Sequence, residues 1–196
     1  MYKYQDVSLT PKERAQDLLK CMSLEEKMGQ VTGYFPRGLG ETGILREKYP
    51  HGAGNVSCLE MRSLRNFDEI VQFQSETQKT IMELSEHHIP AVFHMEGLCG
   101  AFLVNSTSFP AGIGRASSFD PELEGQIGRV VARQEQAAGI TQTLAPVLDI
   151  SRDSRMGRQG ETYGEDPTLA AAMGAAYTKG IQEESVDGRH TDAVAK

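Results

Sequence analysis

The sequence predicts an α/β fold built on a parallel sheet, and three observations carry that prediction. Short apolar runs alternate with amphipathic helical stretches in units of roughly forty to fifty residues, the rhythm of strand–helix crossovers. The same start signal, Asp-Pro-x-Leu, opens two of the helical stretches, at Asp120 and Asp166. Acids and arginines gather directly after the apolar runs, where parallel α/β enzymes hold their ligands. A (β/α)8 barrel and a doubly wound open sheet both produce this pattern, and periodicity does not separate them.

Taken in order, Thr10-Pro11-Lys12-Glu13 is a capping box with proline at the first helical position, and Ala15, Leu18, Leu19 and Met22 supply an apolar stripe. Ser23 with Glu26 reads as a second capping box, restarting a short helix through Met28. The run "GQVTGYF" is an ambiguous strand, whereas "GAGNVSCLE" is a short buried strand ending near Leu59. Phe67, Ile70, Val71, Gln74, Ile81 and Leu84 then line one side of a long helix ending near His87. "IPAVFHMEG" is a strand that ends on Glu96. The helix after Asp120 has Leu123, Ile127, Val130 and Val131 inward and closes at Gly139. "TQTLAPVLDI" is another strand, Leu169, Met173, Ala176, Tyr177 and Ile181 face inward after Asp166, and "TDAVAK" begins a further strand. No linker or composition shift marks an internal boundary, so residues 1–196 read as part of one domain. The strand candidates fall short of the eight that a closed barrel of about 250 residues needs.

Composition excludes several classes of function. A formal charge of −7 over 196 residues, with lysines and arginines scattered, speaks against a nucleic-acid partner. No apolar run is long enough to span a membrane and no basic-then-apolar leader opens the chain, so a cytoplasmic location is the expectation. Cys21, Cys58 and Cys99 form no CxxC pair and read as free thiols. Oligomeric state is not legible.

The chemistry concentrates in two places. Glu96 follows a buried strand and precedes Gly97 and Gly100, so its carboxylate is expected at a site that backbone can approach; a cap or a salt bridge is the structural alternative. In "LAPVLDISRDSRMGRQGETYGEDP", residues 144–167, Arg152, Asp153, Arg155 and Arg158 mix with Glu161, Glu165 and Asp166. An arginine fork suits vicinal hydroxyls or carboxylates, and here one arginine is free for a ligand while Asp153 and Glu165 lock the others. A purely structural ion-pair network is the competing reading. His51, His87, His88, His94 and His190 show no paired-ligand spacing, so no metal site is expected. Gly38-Leu39-Gly40-Glu41-Thr42-Gly43 matches the dinucleotide fingerprint in poor context, between Pro36 and the helix-breaking Tyr49-Pro50.

These segments resemble the N-terminal barrel domain of family-3 glycoside hydrolases, the β-glucosidase and β-xylosidase group. The likeness runs through "DLLKCMSLEEKMGQV", "VFHMEGLCG", "TSFPAGIGRASSFDPEL" and, most specifically, "APVLDISRDSRMGRQGETYGEDP"; the final "AVAK" is similar to the start of the family's Lys-His-Phe strand. The resemblance implies a (β/α)8 TIM-type barrel of which only the N-terminal part is present. It implies hydrolysis of terminal β-linked glucose or xylose by a retaining mechanism, without cofactor or metal. It places Glu96, Arg158 and Lys196 as ligands of the terminal sugar. Aspartate is commoner in β-glucosidases at position 96, and glutamate resembles the branch rich in β-xylosidases. Cys99 and Met156 stand where the family usually has histidine and tryptophan, and Gly160 replaces a larger residue. The family's nucleophile, an aspartate on a later strand, and its acid/base glutamate, from a second domain in the β-glucosidase branch, both fall beyond Lys196. No catalytic residue is therefore assigned within the chain, and the fragment alone is expected to be inactive, its partners being a small carbohydrate and the remainder of the enzyme. The alternative is a truncated homologue that binds sugar without catalysis.

Overall fold

A computed structural model describes residues 2–37 and 40–196. Among these residues, five strands, β1 (Gly33–Tyr34), β2 (Asn55–Ser57), β3 (Val92–Met95), β4 (Gln142–Thr143) and β5 (Asp192–Ala193), form one sheet in sequential order. Every neighbouring pair is parallel. A doubly wound sheet reverses its strand order at a switch point; this sheet does not, and a sequential order is that of barrel staves.

Among the described residues, seven α-helices accompany the strands: α1 (Pro11–Cys21), α2 (Leu24–Gln30), α3 (Thr42–Lys48), α4 (Phe67–Leu84), α5 (Gly112–Ala116), α6 (Pro121–Ala137) and α7 (Pro167–Glu183). The expected caps form. Thr10 accepts from the Glu13 amide while Glu13 reaches back to the Thr10 amide. Asp120 accepts from the Leu123 amide at 3.0 Å, and Asp166 from the Thr168 amide at 2.8 Å. Ser23 caps α2, but Glu26 does not complete the box. Its carboxylate turns inward instead, taking the Ser85 hydroxyl, the His87 amide and, at 2.6 Å, the His87 Nδ1.

Alternation along β3 decides which side chains face the helices. Phe93 and Met95 are buried in the main core with Tyr34, Val56 and, from α4, Ile70, Phe73 and Ile81. Val92, His94 and Glu96 therefore point to the opposite, barrel-interior face. The register Ser57↔His94↔Gln142↔Asp192 carries a polar rung across that face from β2 to β5. A second cluster, Ile127, Val131, Ala145, Tyr177 and Ile181, packs α6 and α7 onto β4 and β5.

The helical stripes are imperfect guides to burial. No residue of α1 is buried and Leu19 is exposed, because α1 lies at the periphery against the N-terminal turn. Phe67 and Val71 of α4 and Leu123 of α6 are likewise exposed, while Thr77 and Thr80, outside the apolar stripe, are buried. The short helices α3 and α5 have no sequence stripe of their own. In "TQTLAPVLDI" only Gln142 and Thr143 pair as regular strand, since Pro146 has no amide to donate. Backbone bonds nonetheless continue past it, from the Lys196 amide to the Pro146 carbonyl at 3.0 Å and from the Val194 amide to Thr143 at 2.8 Å.

Helices α6 and α7 touch backbone to backbone. A Cβ on Gly128 would lie 2.7 Å from the Tyr177 carbonyl, closer than carbon and oxygen can approach. Gly128→Ala is expected to cost about 1–3 kcal/mol as the helices are forced apart, read as a lowered Tm. An unchanged Tm would mean that the contact is looser than described.

Candidate functional site

The strand tips build the site. Glu96 stands one residue past β3 and is followed by Gly97, whose φ is +66°. The space where a side chain at Gly97 would go is filled by the Thr143 methyl and the Glu135 carboxyl, so the turn that aims Glu96 needs glycine. Lys196 lies three residues past β5, and its Nζ donates to Glu96 Oε2 at 2.8 Å. The two side chains are about one-third exposed, at 34% and 31%, which leaves their outer faces open to a ligand.

Arg158 comes from the long segment after β4. Its guanidinium holds Glu161 with two bonds, Nε at 3.0 Å and Nη2 at 2.6 Å. Glu161 raises the Arg158 pKa above its ordinary value, with smaller contributions from Glu96 and Asp149. Glu161 in turn is held below the usual carboxylate range by the Arg158 hydrogen bond, and Lys196 adds to the effect. Glu96, Arg158 and Lys196 thus share one electrostatic neighbourhood on the same rim. Glu161 belongs to the charged cluster read from the sequence, but its bond to Arg158 was missed, and Glu165, expected to lock one of the other arginines, makes no hydrogen bond or ion pair among the described residues. Asp153 does lock Arg155, as expected.

His94 was also missed. It lies two residues before Glu96 on the same face of β3, its ring 6.4 Å from that of the exposed Phe35. Burial lowers its pKa below the ordinary histidine value, and Glu96 partly opposes this. Period-two counting back from Glu96 was the available signal. Among the departures from the family pattern, Met156 is exposed at 37% and Cys99 is half-buried, its thiol raised by burial against the pull of Arg115.

Elsewhere, Glu26, Glu86 and His87 bring ligand-type atoms within 4.8 Å of one another among the described residues. Both Glu26 oxygens already accept hydrogen bonds, so the group reads as a clasp between α2 and the turn before β3. Of the Gly-rich fingerprint, Gly38 and Leu39 lie outside the described residues, and α3 begins at Thr42, inside the motif rather than after it. No helix among the described residues is long and apolar enough to cross a membrane.

Comparison with known proteins follows the same lines. The chain is 33% identical over 186 residues to a periplasmic β-glucosidase of Salmonella typhimurium, covering 93% of this chain and 23% of that protein. It is 39% identical over 117 residues to a β-xylosidase of Formosa agariphila, covering 55% of this chain and 16% of that protein. The structure superposes on a β-glucosidase from Erythrobacter marinus with a TM-score of 0.82 at 25% identity, over 100% of this chain and 26% of that one. The chain thus spans about a quarter of the length of these relatives or less. The model of the glycosyl hydrolase family 3 N-terminal domain matches residues 52–193, which include Glu96, Arg158 and the whole run of strands from β2 to β5. Sequential barrel staves, charged tips and this match agree: the chain belongs to glycosyl hydrolase family 3.

Proposed function

We propose that the protein carrying this chain hydrolyses O-glycosidic bonds and releases terminal β-linked glucose or xylose with retention, using no cofactor. The observation that carries this reading is the Glu96–Lys196 pair at 2.8 Å on the strand tips, with Arg158 in its field. A carboxylate beside an ammonium and a guanidinium offers acceptors and donors at once, which is what adjacent hydroxyls of a sugar require. Glu96 accepts from two hydroxyls; Lys196 and Arg158 donate to others. Nothing in this set is assigned as nucleophile or acid/base. In a retaining enzyme those are two carboxyl groups about 5–5.5 Å apart, and the family resemblance puts them on other segments. The longer glutamate at position 96 pushes its carboxylate deeper than aspartate would, which favours a sugar without bulk at C5. We therefore rank xylosides before glucosides.

The test is release of nitrophenol from aryl β-xyloside and aryl β-glucoside by the complete enzyme. Turnover of either supports the reading, and a larger kcat/KM for the xyloside supports the ranking. No turnover of both would overturn it. Calorimetric binding of glucose or xylose without turnover would favour a sugar-binding homologue instead.

A further inference from the structure

We propose that the buried Arg115–Glu124 pair is a positioning device that sets the loop after β3, which carries Glu96, against segment 158–163, which carries Arg158. The proposal rests on the glycosidase reading for its catalytic consequence, but not for its structural one.

The connections can be followed bond by bond. Arg115, on α5, is 7% exposed, and Glu124, on α6, is 1% exposed. The Arg115 Nε donates to both Glu124 oxygens, at 2.9 and 3.1 Å. Its Nη1 donates to the Leu98 carbonyl at 2.6 Å and to the Pro110 carbonyl at 2.7 Å. Leu98 lies two residues after Glu96. On the other side, the Tyr163 hydroxyl donates to Glu124 Oε1 at 2.6 Å, and Tyr163 lies two residues after Glu161, the partner of Arg158. The guanidinium also stands over the rings of Tyr177 and Tyr163, 5.6 and 5.9 Å from their centroids. Tyr177 completes the circuit by donating to the Gly97 carbonyl at 2.6 Å. Gly112, at the start of α5, leaves room for the carbonyls of Glu161 and Thr162, so α5 lies flush on the Arg158 segment.

Stability is a poor reason for such a pair. Removing two charges from water is costly, and apolar side chains of similar volume commonly stabilise a fold as well or better. What an apolar pair does not supply is direction. Here one guanidinium accounts for two loop carbonyls and one carboxylate, and that carboxylate for a tyrosine on the opposite loop. Misplacing a binding group by about 1 Å can cost on the order of a hundredfold in rate.

The test compares the complete enzyme with the double variant Arg115→Met/Glu124→Leu, which keeps volume, and with Tyr163→Phe, which removes a single hydroxyl. Amide hydrogen exchange is the readout that needs no activity. Faster exchange in both 97–100 and 158–163, with the rest of the chain unchanged, is the expected result. Exchange unchanged in both loops overturns the proposal. If the double variant does not fold, Tyr163→Phe decides by the same measurement in 158–163. On the aryl glycoside that the wild type turns over, kcat/KM should fall at least tenfold in the double variant, with more of the loss in kcat than in KM. A kcat/KM within twofold of wild type would leave the loops coupled to nothing catalytic and would also overturn it. Lack of wild-type turnover bears on the glycosidase reading alone, since hydrogen exchange still tests the pair.

Discussion

Glu96→Ala is expected to lower kcat/KM of the complete enzyme by on the order of 10²–10⁴-fold. The size of the loss follows from the bonds removed. Each hydrogen bond to a charged group contributes about 1.5–3 kcal/mol, the proposed pose loses two of them, and about 1.4 kcal/mol is a factor of ten. The truncation also leaves the Lys196 ammonium without the carboxylate it touches at 2.8 Å. Glu96→Gln should fall between wild type and alanine, because the amide keeps the shape and one acceptor but not the charge. Lys196→Met should weaken the enzyme as well. The double variant Glu96→Gln/Lys196→Met should lose less than the sum of the two singles, since groups in direct contact couple. Strict additivity would mean that the pair does not act as a unit. A Glu96→Ala enzyme with wild-type kcat/KM would remove the carboxylate from the site altogether.

The second large effect is on stability and has a sign. Glu135 of α6 is fully buried, and burial raises its pKa to about 8, with the Thr143 hydroxyl pulling slightly the other way. Its Oε1 has no hydrogen-bond partner among the described residues. Cys58 and Tyr177 lie close enough to feel it, and both are raised first of all by their own burial. The folded protein therefore keeps a proton that the unfolded chain releases near pH 4.5, so the contribution of Glu135 to folding stability is full below that value and is lost as pH rises towards 8. At about 1.4 kcal/mol per pH unit, Glu135 alone costs about 3 kcal/mol at neutral pH relative to pH 4.5. Denaturant titrations from pH 5 to 8 should show this decline in the wild type and a flatter profile in Glu135→Gln. Parallel profiles would show that Glu135 is not the group responsible.

The helix caps and the strand ends were legible because they are local. Thr10, Asp120 and Asp166 announce their helices within four residues, and Glu96 announces the end of β3. The barrel order of the strands was not legible, because periodicity is blind to which strands are neighbours; the family resemblance supplied it. Resemblance likewise pointed to Arg158 and Lys196, which look unremarkable by composition. The buried charges escaped both routes. Arg115, Glu124 and Glu135 carry no sequence signal of burial, and nothing in their spacing says that Tyr163, Leu98 or Thr143 will fold against them. The exposed α1 stripe failed for the converse reason: an apolar face predicts burial only where a partner surface exists.

The clasp at Glu26 has a practical side. The rings of Tyr2 and Tyr4 pack edge-on against His87, 6.3 and 6.0 Å away, so the beginning of the chain is moored near the roots of the staves, opposite the rim that carries Glu96. An affinity tag or surface linker attached there would sit beneath the mouth and leave it open.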